Sequence, residues 1–171
     1  METAWLFDTL TVTLARVDFL DPELAAAPDT RERGVRVEIR PTELEHIGSV
    51  YASPQVTLAP AAFRIDLLES APGAVDRMHW HPTMDGGEPG DRTFDDSIPA
   101  DPLGWLADRL GEVTTLLQRA GVEDVTRHER SARDIADHRH EIVEAARTGL
   151  EWARAPWPEV THDERGMAVD A

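Results

Sequence analysis

His79-Trp80-His81 is the segment whose residue types and spacing point most directly to chemistry. On a strand, residues i and i+2 project to the same face, so both imidazoles can reach one ion. Met78 and Trp80 then face the other way, where apolar packing is expected. Neutral imidazole is a good ligand for Zn, Fe, Ni or Cu, and a carboxylate commonly completes such a set. Asp85 and Glu88 follow closely and, with His79 and His81, make up the candidate metal ligands. Two imidazoles and one carboxylate leave positions open for water or substrate. The cofactor this implies is one divalent metal such as Zn or Fe. The same spacing has a plainer reading, a solvated pair on an open sheet face, each ring satisfied by a single hydrogen bond.

The run from Gly73 through five residues to His79-Trp80-His81, then Asp85 or Glu88 and Gly90, resembles the first metal motif of cupins. That resemblance implies a metal-dependent β-barrel, often an oxygenase or isomerase. It spans residues 73–90 alone, and no second motif with a Pro, a Gly and a further His follows. The C-terminal half reads as helix where a cupin needs strands to close its barrel.

Other ionisable groups offer less. His128, His138 and His140 fall on or near a C-terminal helix, and Asp134 stands four residues before His138, on the same face. There a His more commonly satisfies itself against a neighbour than binds an ion. His46 has no spacing partner. Asp85, Glu88, Asp91, Asp95 and Asp96 form an acidic stretch without the order of an EF-hand loop, and solvated turns explain them better. There is no phosphate-loop Gly-Lys-Ser/Thr and no Gly-x-Ser-x-Gly elbow. Trp5, Trp80, Trp105, Trp152 and Trp157 read as core or rim packing rather than a ligand platform.

The elements that must position these residues follow from periodicity. Residues 5–19 read as one strand with Leu10, Val12 and Leu14 on one face and Thr9, Thr11 and Thr13 exposed on the other. Residues 21–30 read as a loop with a helical turn over 23–26. Strands are expected over 33–40, 55–58, 63–69 and 76–81, and a structureless loop over 82–101. Asp101-Pro102 then starts a helix that buries Leu103, Leu106, Leu110, Val113 and Leu117 and ends at Gly121. A last helix covers 131–153, with a capping box from Thr126 and Glu129 or from Ser131 and Asp134. Its buried stripe is Ile135, Ile142, Ala146, Leu150 and Ala153. The expectation is an α+β domain over 1–153: an antiparallel β-sheet of about five strands in the N-terminal two-thirds, then two amphipathic helices packed on one face. Residues 154–171 read as a polar, mobile C-terminal tail.

Composition limits the function classes. The chain has 171 residues, 41% of them hydrophobic, enough for a folded core. It has no Cys, which excludes disulfides, Cys zinc sites, iron–sulfur clusters and thiol nucleophiles. Its net charge of −16, with Arg dispersed and no Lys, opposes nucleic acid and anionic membrane surfaces as partners. No apolar run approaches a membrane span, and METAWLFDTL lacks the basic start of a signal peptide, so a soluble cytoplasmic protein is expected. Two functions remain in play. One is a metal-binding protein or enzyme with a small-molecule ligand; the other is a non-enzymatic interaction or regulatory module with a protein partner, a homodimer included.

Overall fold

The computed structural model describes residues 2–20, 31–49 and 51–170. The strands of the main sheet are β1 (Glu2–Phe7), β2 (Leu10–Leu20), β3 (Arg31–Glu45), β4 (Gln55–Leu58), β5 (Phe63–Glu69) and β6 (His79–His81). They pair antiparallel in the order β1-β2-β3-β5-β6, and β4 pairs with the far end of β3, beyond β5. Strict alternation sorts the side chains. Val12, Leu14, Val37, Ile39, Phe63, Ile65 and Trp80 lie on one face and are buried in a single apolar cluster. Each such side chain contributes about 1.5–3 kcal/mol when fully withdrawn from water. β1 and β6 end the order, so the described strands do not close into the barrel that the cupin resemblance implies.

Helices follow the strands and cover that apolar face, giving a mixed α+β architecture. They are α1 (Ser97–Ala100), α2 (Pro102–Gly111), α3 (Val113–Arg119) and α4 (Glu129–Ala153), with a 3-10 turn at Val125–His128 before the last. Asp101 caps α2, its Oδ1 accepting the Gly104 N–H at 3.0 Å. The helix expected to run on to Gly121 is interrupted at Glu112, which leaves helical geometry at φ −117 and ψ 20. The apolar spacing continues across this break, which is why periodicity alone does not reveal it. α4 lies across β2 and β3, with Ile135, Ile142, Ala146, Leu150 and Ala153 buried. Gly149 permits this approach, because a Cβ there would stand 2.2 Å from Val35 Cγ1. A side chain at that point would cost about 1–3 kcal/mol in overpacking.

Several expectations need correction. A hairpin turn at Asp8-Thr9, with Asp8 at φ 51, splits the long first strand into β1 and β2. β2 is therefore interior, and Thr11 and Thr13 are buried instead of exposed, Thr11 Oγ1 sharing a 2.7 Å hydrogen bond with Thr42 Oγ1. Neither capping box forms on α4, which starts at Glu129 without a side-chain cap. The Ser131 hydroxyl instead donates to the Phe7 carbonyl. Residues 82–101 are not structureless: β7 (Met84–Asp85) and β8 (Glu88–Pro89) form a hairpin, and α1 follows. Gly86 and Gly87, at φ 59 and 103, make its two-residue turn. Residues 154–171 carry another hairpin, β9 (Val160–His162) with β10 (Ala168–Asp170), tied to β3 by an Arg31–Asp170 ion pair. The loop at 21–30, with its expected turn at 23–26, lies outside the described residues. Among those described, no helix is long and apolar enough to cross a membrane.

Candidate metal centre

The sheet face away from the helices carries the chemistry, and strand register builds it. Arg36, Asp66 and His79 lie side by side on β3, β5 and β6, and Glu38, Arg64 and His81 form the next row. Met78 and Trp80 face the opposite side and enter the core, Trp80 meeting the edge of Trp105 at 5.7 Å between ring centres. One ligand atom from each of Asp66, His79 and His81 falls within 4.8 Å of the others.

The hydrogen bonds fix which atoms face inward. His79 Nδ1 is 2.7 Å from the Arg77 carbonyl and His81 Nδ1 is 2.7 Å from the Gly90 carbonyl. A carbonyl can only accept, so each Nδ1 carries the proton, and in a neutral ring Nε2 then presents a lone pair. Both Nε2 atoms approach Asp66 Oδ2, at 3.6 and 3.7 Å, too far for hydrogen bonds. Two ligands each about 2.1 Å from one ion at a tetrahedral angle stand about 3.4 Å apart, close to these separations. The other oxygen, Asp66 Oδ1, accepts from Arg36 Nε at 2.7 Å, which sets the carboxylate plane. A ring N–H on a carbonyl and a carboxylate held by a guanidinium are the outer contacts that orient metal ligands.

Burial distinguishes this group from a solvated pair. Asp66 is 2% exposed, His79 3% and His81 4%. The open face of the sheet is covered here because residues 82–94 fold back over it. Thr93 pairs with Trp80 through two backbone hydrogen bonds of 2.8 and 3.1 Å, and the Phe94 ring lies 5.6 Å from His79. Burial lowers the His79 pKa, with the Arg92 and His81 charges adding to it, and outweighs the Arg77 carbonyl and Asp66. That keeps the ring neutral, the state an ion requires. Alongside, burial alone would raise the Glu38 pKa, but Arg64 and Arg40 hold it below the ordinary value. A cleft of about 260 Å³ opens onto Asp66, His79 and His81.

Of the carboxylates expected beside the His pair, Asp85 and Glu88 lie exposed on the β7–β8 hairpin, outside the Asp66-His79-His81 group. Asp66 completes this group, and sequence proximity does not point to it. Its signal was the alternation of β5, which puts Asp66 with Arg64 on the face opposite Ile65 and Leu67. His138 is exposed and bonds the Asp134 backbone carbonyl at 2.8 Å rather than its carboxylate. His46 and His140 are exposed, and His128 is buried beside Thr9. Asp95 accepts from the Ser97 N–H at 2.9 Å and the Trp105 indole at 3.2 Å, a structural use.

No family model matches this chain, and neither the curated proteins nor the solved structures contain a match to it.

Proposed function

We propose that the protein binds one divalent transition metal through Asp66 Oδ2, His79 Nε2 and His81 Nε2, and that the open positions of the ion take water or a small ligand. In this reading Asp66 fills the role that sequence proximity gives to Asp85 or Glu88. The observation that carries it is the convergence of two free Nε2 lone pairs on one carboxylate oxygen, with both Nδ1–H groups already committed to carbonyls. Two imidazoles and a carboxylate suit Fe(II) or Zn(II), and such a site supports Lewis-acid activation of water or of a bound oxygen ligand. The test is metal content of protein purified without a His tag, beside His79→Ala/His81→Ala. About one equivalent in the parent and none in a folded variant supports the reading. No uptake of Zn²⁺, Fe²⁺, Mn²⁺ or Ni²⁺ by the parent overturns it.

A second reading, an interaction module that self-associates, is favoured by the β3–β4 arm. There Leu44, Val56 and Leu58 are each more than 40% exposed, with Ile47 and Tyr51 nearby. A protein that stays monomeric in sedimentation at high concentration would remove it.

A further inference from the structure

The cleft over the three ligands has a charge opposite to that of the chain. It is lined by Arg36, Arg64 and Arg92 against Glu32 and Asp66, in a molecule of net charge −16. An ion at the ligands would add two more positive charges. The three guanidiniums are not equivalent. Arg36 is bound to Asp66 and Arg64 to Glu38, each at 2.7 Å. Arg92, by contrast, has no ion-pair or hydrogen-bond partner among the described residues. It is nevertheless held in place at the backbone, because Gly90 receives the His81 N–H and Thr93 pairs with Trp80 on either side of it. A free guanidinium on an anchored segment beside a cationic centre is a receptor for an oxyanion.

Resting on the metal reading above, we propose that the ligand of this site is a small organic acid. Its oxyanion group is received by Arg92, and another of its oxygens occupies an open position on the ion. The cleft volume limits the size: about 260 Å³ lies below the range of roughly 300–1,000 Å³ that holds drug-sized molecules. A polyanion is excluded by the acidic remainder of the surface, whereas a small anion need only satisfy the local field.

The test uses the untagged full chain loaded with Co²⁺, whose visible absorption reports its coordination. Succinate, inorganic phosphate and the neutral succinamide are titrated into the parent and into Arg92→Gln. Arg92 is exposed and bonds nothing among the described residues, so the variant should fold and bind Co²⁺ as the parent does. Succinate is expected to change the parent spectrum saturably, succinamide to leave it unchanged, and Arg92→Gln to weaken succinate by about tenfold or more. Phosphate binding more tightly than succinate with the same dependence on Arg92 would retain the oxyanion receptor but overturn the organic acid as its occupant. Equal succinate affinity in parent and Arg92→Gln, or equal response to succinamide, overturns the inference and leaves the metal reading intact. A parent that takes up no Co²⁺ overturns both, and is recognised before any anion is added.

Discussion

His81 and His128 are equally buried, each 4% exposed, yet the molecule uses their ring nitrogens in different ways. His81 Nδ1 is spent on the Gly90 carbonyl, and its Nε2 shares one Asp66 oxygen with a second imidazole. His128 meets a hydroxyl instead. Its Nδ1 lies 3.0 Å from Thr9 Oγ1, which is itself 3.0 Å from Ser131 Oγ, and Ser131 donates on to the Phe7 carbonyl. That chain sews the β1–β2 turn to the first turn of α4. A buried His is thus no sign of a metal site by itself. His81 differs from His128 in that its second nitrogen converges with a second imidazole on one carboxylate oxygen.

Removing the convergence should have the largest effect. Asp66→Asn is expected to weaken Zn²⁺ binding by more than about 100-fold, read by competition with a chelating dye, while His128→Asn leaves that affinity unchanged. Arg36→Gln, which frees the carboxylate plane without removing a ligand, should cost about 10–100-fold in the same assay. The structural His answers in stability: His128→Ala should lower unfolding free energy by about 1–3 kcal/mol in urea, as expected when the half-buried Thr9 hydroxyl loses a partner and a buried ring is removed. Equal metal loss in His128→Ala and Asp66→Asn would erase the distinction.

The smallest effect is in pH. Burial lowers the His128 pKa from its usual 6.5, assisted by Arg127 and opposed by a hydrogen bond to the Thr9 backbone and by Asp124. The unfolded chain therefore takes up the proton more readily than the folded one. The stability contributed by the neutral ring is complete above about pH 6.5 and is lost as pH falls from there through the lower folded value. Melting of metal-free parent and His128→Asn at pH 7.5 and 5.5 should show the parent losing more. Parallel losses would place the titration elsewhere.

Much of this was legible from the sequence, for reasons that differ by element. Alternation in 33–40 and 63–69 located β3 and β5, and the 79–81 spacing placed His79 and His81 on one face, because side-chain period is a local property. The Asp66 contribution was not legible by nearness along the chain, since cross-strand register determines it: Asp66 is opposite His79 but thirteen positions away. Residues 82–101 read as structureless because their Gly, Pro and Asp content reads as loop. The Gly86-Gly87 pair was nonetheless a hairpin signal. The cover it provides converts an open sheet face into a buried one, and no local pattern reports that. At Asp8-Thr9 an uninterrupted β-favourable run hid a reversal, and with it the burial of Thr11 and Thr13.

β6 is only three residues long and lies at the end of the main sheet's strand order, paired to β5 alone within that sheet. Asp66, His79 and His81, the ligands proposed above, all come from this one hairpin, and its turn is already pinned by Ser70 and Asp76 through bonds of 3.0 and 2.6 Å. The proposed ligand set would therefore be complete once two neighbouring strands have met, before any helix docks, and the closure entropy of so short a loop is small. An ion captured at that stage would act as a rivet on the weakest strand of the sheet. Metal supply would then govern how often the edge frays, and so how long the chain survives a protease, as well as whatever chemistry the site performs.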